Sequence, residues 1–140
     1  MMPSKLMEYF NKQPRIGVLG TSNGSGAVDA AVYGSPQMVD EKTVVMGSGE
    51  NRTLADLREN PHAVYLIMEP GETVMDWKGI RVYLKMTSLE TSGEGLETYR
   101  RQIAEAVGEQ AAQMIAATVK FEVTDVRPLV DMGQGWEQSV

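Results

Sequence analysis

Ile80-Arg81-Val82-Tyr83-Leu84-Lys85-Met86-Thr87 alternates apolar with mostly polar side chains at a period of two. An extended chain points every second residue to the same side, so the stretch predicts a strand with one face on a core. Downstream, Leu96, Tyr99, Ile103, Val107 and Met114 fall on one helical stripe, while Glu97, Arg101, Glu105 and Glu109 face away. That spacing predicts one long amphipathic helix from Gly95 to about Ala116, mildly interrupted at Gly108. Val119, Phe121 and Val123 then alternate with Lys120, Glu122 and Thr124, giving a last strand that Pro128 ends or bulges.

Upstream, Ala63-Val64-Tyr65-Leu66-Ile67-Met68 is a continuous apolar run of strand length, read as buried on both faces. A short helix over Thr53–Asn60 precedes it. Val39 and Thr43–Gly47 flank the polar turn Asp40-Glu41-Lys42 as a strand pair. Arg15–Thr21 and Ala27–Tyr33 flank Ser22-Asn23-Gly24-Ser25-Gly26, where Asn-Gly suits the positive φ angles of a tight hairpin turn. Leu6, Met7 and Phe10 at helical spacing, with Ser4 to cap and Pro14 to stop, predict a short leading helix. Strands on both sides of one long helix make an α+β chain. We expect about six mostly antiparallel strands closing into a barrel, one long helix and two short ones, and a single domain over residues 1–140.

Thirteen Lys and Arg stand against nineteen Asp and Glu, a net charge of −6. No basic field is available to attract nucleic acid. With no cysteine, disulfides, thiolate metal sites and thiol nucleophiles are excluded, and a lone histidine, His62, excludes a multi-histidine metal site. The longest apolar run is far short of the roughly twenty residues that a membrane helix requires. Met1–Glu8 reaches charged residues before any signal-length apolar segment develops. A cytoplasmic protein that contacts neither membrane nor nucleic acid is expected.

Two glycine-rich segments invite nucleotide readings. Gly24-Ser25-Gly26 continues into Ala27-Val28-Asp29 without the third glycine of a dinucleotide fingerprint, and Gly47-Ser48-Gly49-Glu50-Asn51-Arg52-Thr53 lacks the Gly-Lys-Ser/Thr of a phosphate loop. The second segment nevertheless joins a strand end to a helix start. Arg52 offers a fixed charge with a donor fork, Thr53 a capping hydroxyl, and the first helical amides a partial positive charge, a set that suits a phosphate. An ordinary capped helix with a solvated arginine would show the same residues, and local spacing leaves both readings open.

The order of these pieces resembles the pyridoxamine 5′-phosphate oxidase-like family of FMN-binding split barrels. The resemblance runs from about Arg15 to Asp131. It rests on the Gly-rich hairpin, the small-residue strand Asp29-Ala30-Ala31-Val32-Tyr33-Gly34-Ser35, the strand end Met46-Gly47-Ser48-Gly49, then Asn51-Arg52-Thr53, and the step Leu57-Arg58-Glu59-Asn60-Pro61-His62-Ala63-Val64. It implies FMN as cofactor, its phosphate on Arg52 and Thr53 with Asn51 and Ser48 nearby. The flat ring would lie between Ala30, Ala31, Val32 and Tyr33 on one side and Met46, Gly47, Ser48 and Gly49 on another. Small side chains would let such a ring approach the backbone. The resemblance also implies a homodimer with FMN between subunits and an unknown small-molecule redox partner. Trp136, Trp77 and Tyr83 are candidates to cover the ring or to seal the dimer.

His62, directly after Asn60-Pro61 at a strand start, reads as a surface residue. No catalytic residue is assigned in the protein. A flavoprotein tolerates that, because the cofactor carries the redox step. The resulting expectation is an FMN-dependent oxidoreductase. A non-catalytic flavin carrier, an electron-transfer or sensing module, a cofactor-free interaction domain, and a variant holding deazaflavin or haem are its alternatives.

Overall fold

The structure, a computed structural model, describes residues 4–140. Met1, Met2 and Pro3, on which the reading of the chain's start partly rests, lie outside the described residues. The Ser4 hydroxyl accepts from the Met7 amide at 3.2 Å and opens helix α1 (Lys5–Asn11). The hairpin follows as β1 (Ile16–Ser22) and β2 (Val28–Val32), then β3 (Gln37–Asp40) and β4 (Thr43–Ser48). Helix α2 (Arg52–Glu59) leads into β5 (His62–Glu69) and β6 (Lys78–Glu90). Helices α3 (Glu94–Val107) and α4 (Glu109–Gln113) precede β7 (Ala117–Pro128), with 3-10 turns at Val74–Asp76 and Trp136–Ser139. No helix among the described residues is long and apolar enough to cross a membrane.

The α+β split-barrel reading holds, with seven strands in place of six. Their order is β2-β1-β5-β6-β7-β4-β3, every neighbour antiparallel. The expected strand pair around Val39 and Thr43–Gly47 is β3 and β4, with β3 starting at Gln37 and running into Asp40 of the expected turn. The long strand β6 shifts register against β7 at Tyr83/Leu84 and at Met86/Ser88, and such bulges bend a strand and raise its twist. The two arms of the sheet meet without a ladder between β2 and β4. Side chains bridge that split instead: Ser35 Oγ donates to the Gly47 carbonyl at 2.9 Å, and the Tyr33 hydroxyl lies 2.9 Å from Ser48 Oγ.

Leu19, Val44, Met46, Tyr65, Ile67, Ile80, Val82, Leu84, Val119 and Phe121 point inward and form one core with Phe10 of α1 and Leu54 and Leu57 of α2. Burying each aliphatic or aromatic side chain contributes about 1.5–3 kcal/mol. Phe10 is held in place by Arg15, whose guanidinium lies 5.3 Å from the Phe10 ring centre and 5.2 Å from that of Tyr65. Arg15 donates to the carbonyls of Phe10, Gly34 and Pro36 at 2.7, 2.9 and 2.8 Å, fastening the end of α1 to the chain that leaves β2. Burial pulls its pKa below the usual arginine value.

Four readings are corrected. The hairpin turn takes its positive φ at Gly26 (φ 91°) instead of at Asn23-Gly24, and the Asn23 side chain closes the turn by accepting from the amides of Ser25 and Ala27. Strand β5 is buried on one face only: Tyr65 and Ile67 point into the core, and Val64, Leu66 and Met68 lie half-buried on the outer surface. The long helix is two helices, so there are three short helices among the described residues. Gly108, at φ 104°, breaks the helix outright, and the phase of the apolar stripe is lost there. Leu96, Tyr99 and Ile103 pack inward as expected, whereas Met114, past the break, is exposed, as is Val107 at the very end of α3.

Candidate functional site

Asn51 caps α2, correcting the reading of Thr53 as cap. A cap needs extended backbone, which Asn51 has (φ −148°, ψ −172°), and its Oδ1 accepts from the Leu54 amide at 3.1 Å. Thr53 is already inside the helix and buried. The amides of Arg52 and Thr53, at the first two helical positions, have no acceptor within the helix.

The helix is anchored at two further points. The Thr21 hydroxyl donates to the buried Asp56 carboxyl at 2.8 Å, and Glu59 accepts from the Gly24 amide at 3.0 Å. Sequence reasoning passed over both; the signal for Asp56 was a lone acid between Leu54 and Leu57 on the apolar face.

The expected site residues Tyr33, Ser48 and Asn51 form one hydrogen-bonded chain. Asn51 Nδ2 donates to the Tyr33 hydroxyl at 3.0 Å, and Ser48 Oγ donates to the Gly49 carbonyl at 2.9 Å. Ser48 has a single proton and spends it on Gly49, so Tyr33 is the donor to Ser48. The Tyr65 hydroxyl donates to the Tyr33 carbonyl at 2.6 Å. The ends of β2 and β4 and the start of α2 are thus held as a unit at the split.

Arg52 is exposed at this corner. It has no hydrogen-bond or ion-pair partner among the described residues, unlike the other arginines. Arg15 is spent on carbonyls, Arg58 on Glu50, Arg81 and Arg127 on Asp131, Arg100 on Glu97 and the Ile115 carbonyl, and Arg101 on the Thr98 hydroxyl. Glu50, the nearest acid in sequence, is held by Arg58, which lowers the Glu50 pKa.

The residues expected to meet a flat ring do not all share a face. Strand alternation turns Ala30 and Val32 to the outer surface, while Ala31, in register with the buried Leu19, points the other way. Met46 is in the core, and Ser48 is buried. Gly47 is covered: a Cβ built there would collide with the ring of Tyr99 from α3. Trp136 packs half-buried against β6 and β7, whereas α2 lies on β1 and β2, so within one chain Trp136 and Arg52 do not share a wall. Trp77 is half-buried after its 3-10 turn, and His62 is exposed at the start of β5.

The outer surface of β2, β1 and β5 is apolar in successive cross-strand rows. Val32, Val18 and Leu66 form one, and Ala30, Gly20 and Val64 the next, leading to Tyr83 of β6. Val28 and Val32 are 77% and 78% exposed. A groove of about 380 Å³ runs across Gly20 between Val28, Val64 and Tyr83, with Asp29, Asn60 and His62 on its rim.

No family model matches the chain, and no curated protein matches it. Solved structures do. An FMN-binding protein from Syntrophomonas wolfei subsp. wolfei is 18% identical, with 89% of this chain and 82% of that chain covered at a TM-score of 0.71. A Listeria innocua protein provisionally described as a pyridoxamine 5′-phosphate oxidase is 21% identical (89% and 98% covered, TM-score 0.63). HutZ, the heme storage protein from Vibrio cholerae, is 16% identical (89% and 94% covered, TM-score 0.62). At these identities the likeness is one of fold: the chain is a split barrel of the architecture seen in pyridoxamine 5′-phosphate oxidase-like proteins, as the sequence resemblance implied.

Proposed function

We propose that the chain is an FMN-binding flavoprotein whose phosphate site is the start of α2, and that it acts as a flavin-dependent oxidoreductase on a small molecule. The observation that carries this reading is Arg52, exposed and without a partner among the described residues, as the first residue of a helix whose first two amides have no helical acceptor. The residues fit a phosphate. A fixed charge, a partial positive helix end and a capped, anchored backbone converge on one exposed corner, and the neighbouring acid is neutralised by Arg58. Thr53 would contribute its backbone amide, because its side chain is buried.

Bound FMN would supply the electron-transfer chemistry. The chain's own residues bind and orient: Arg52 takes charge, Asn51 fixes the helix start, and Tyr33 and Ser48 hold the two strand ends together. The apolar surface of β2, β1 and β5 supports a homodimer, since rows of valines on an edge strand are a liability unless covered, and a second copy offers a matching apolar face. The fold neighbours carry both flavin and haem in their descriptions, and a spectrum separates these. Purified protein is expected to show flavin bands near saturation after FMN addition. A Soret band without flavin uptake would overturn the assignment.

A further inference from the structure

Gly47 lies in the strand end that a planar cofactor ring would approach, and its open side is filled by the Tyr99 ring. The Tyr99 hydroxyl lies beside the Ser35 hydroxyl and the Gly47 backbone, and burial raises its pKa, with those two contacts acting in the opposite direction. The phenol therefore covers the Gly47 backbone beside the split, where the flat ring of the proposed cofactor would approach.

The helix that carries Tyr99 is only shallowly buried, with Arg100 tying it to the Ile115 carbonyl. Of the fourteen residues of α3 only Leu96 is buried, and the helix is bounded by Gly93 and Gly108 at φ 99° and 104°, without side-chain caps. Beneath it, a groove of about 280 Å³ is lined by Val45, Ser88, Gly95, Tyr99, Gln102 and Thr118. Tyr99 thus has tight packing on one side and open space on the other. A side-chain swing into that space needs no unfolding of the sheet.

We infer that Tyr99 is a gate on the ring slot. It covers the Gly47 backbone in the free protein and swings into the groove under α3 to admit a planar flavin-type ring. The inference rests on the proposed FMN site and concerns its regulation. A binding-competent state populated at a fraction f weakens apparent affinity by 1/f, so a gate closed in about nine molecules of ten costs roughly tenfold.

The experiment is FMN titration by flavin fluorescence on wild type, Tyr99→Ala, Tyr99→Phe and Arg52→Ala, together with 19F NMR of the protein carrying 3-fluorotyrosine. The Tyr99 line is assigned by its loss in Tyr99→Phe. We expect Tyr99→Ala to bind FMN roughly tenfold tighter and Tyr99→Phe to fall between it and wild type. The Tyr99 line should move to a new position at saturating FMN. Tyr99→Ala binding no tighter than wild type, or a Tyr99 line that saturating FMN leaves in place, overturns the gate. Arg52→Ala reads the phosphate site separately. Weakened binding there without a gain in Tyr99→Ala sinks the gate and spares the site; a gain in Tyr99→Ala with Arg52→Ala unchanged does the reverse.

Discussion

The Tyr33 hydroxyl and Ser48 Oγ, 2.9 Å apart, join the ends of β2 and β4 where no backbone ladder does. Tyr33 also receives the Asn51 amide proton, so one phenol oxygen serves both the split and the helix start. Tyr33→Phe removes these bonds and leaves buried Ser48 without its donor. We expect a loss of about 1–2 kcal/mol in urea unfolding. FMN affinity should also fall, because Asn51 then keeps only its capping bond to the Leu54 amide. Unchanged stability would show that the split is held by the neighbouring Ser35–Gly47 bond alone.

Thr21 and Asp56 form a buried pair whose two halves are not equivalent. Thr21→Val leaves a buried carboxyl group without its donor, at a cost of about 2–3 kcal/mol. Combining Thr21→Val with Asp56→Leu removes both polar groups and should recover most of that loss. Denaturant midpoints of the two single variants and the double variant measure the difference. A double variant no more stable than Thr21→Val would contradict this account.

How much of this was open to the sequence follows from which interactions are local. The alternation over Ile80–Thr87 identified β6 because burial on one face imposes a period of two. The Asn51-Arg52-Thr53 corner was found because a strand end, a cation and a helix start are adjacent in the chain. The cap itself was missed, since Asn51 and Thr53 are both good caps and only the backbone angles decide between them. Tyr99 was read as one apolar residue of a stripe. Its contact with Gly47 joins positions far apart in the chain, and nothing in local periodicity encodes it. Likewise β5 reads as doubly buried because a half-exposed apolar face and a covered one have the same composition.

That outer face yields a test of assembly. Val32→Lys places a charge at the edge-strand end of the apolar row Val32, Val18 and Leu66, and a two-fold assembly that covers this face would bring in two such charges. Like charges set against one another at an interface cost several kcal/mol. Wild type is expected to sediment as a dimer and Val32→Lys as a monomer. Wild type that sediments as a monomer at every concentration would refute the homodimer.

Tyr9 donates to Glu69 and ties α1 to β5, with Lys12 as a second partner of the carboxylate. The Tyr9 bond, and then Lys12, hold the Glu69 pKa below its ordinary value. A carboxyl group depressed by folding stabilises above its unfolded pKa, and that contribution is lost as pH falls through the folded one. Tyr9 is shifted upward, first by burial and then by Glu69, so its contribution is present below the ordinary tyrosine pKa and is lost in strong alkali. Stability should be flat near neutrality and fall in acid, and Tyr9→Phe should flatten the acid limb by less than about 1 kcal/mol, since Glu69 is well exposed. Thermal melts from pH 3 to 7 measure this, and an identical acid limb in the variant would rule the pair out as its source.

The free cation at the start of α2 is tested most directly by titrating FMN into wild type and Arg52→Ala at one ionic strength. Loss of one charged hydrogen-bonded contact, about 1.5–3 kcal/mol, predicts affinity weakened about ten- to a hundredfold with the fold unchanged by circular dichroism. Identical titrations for the two proteins would contradict a phosphate held at Arg52.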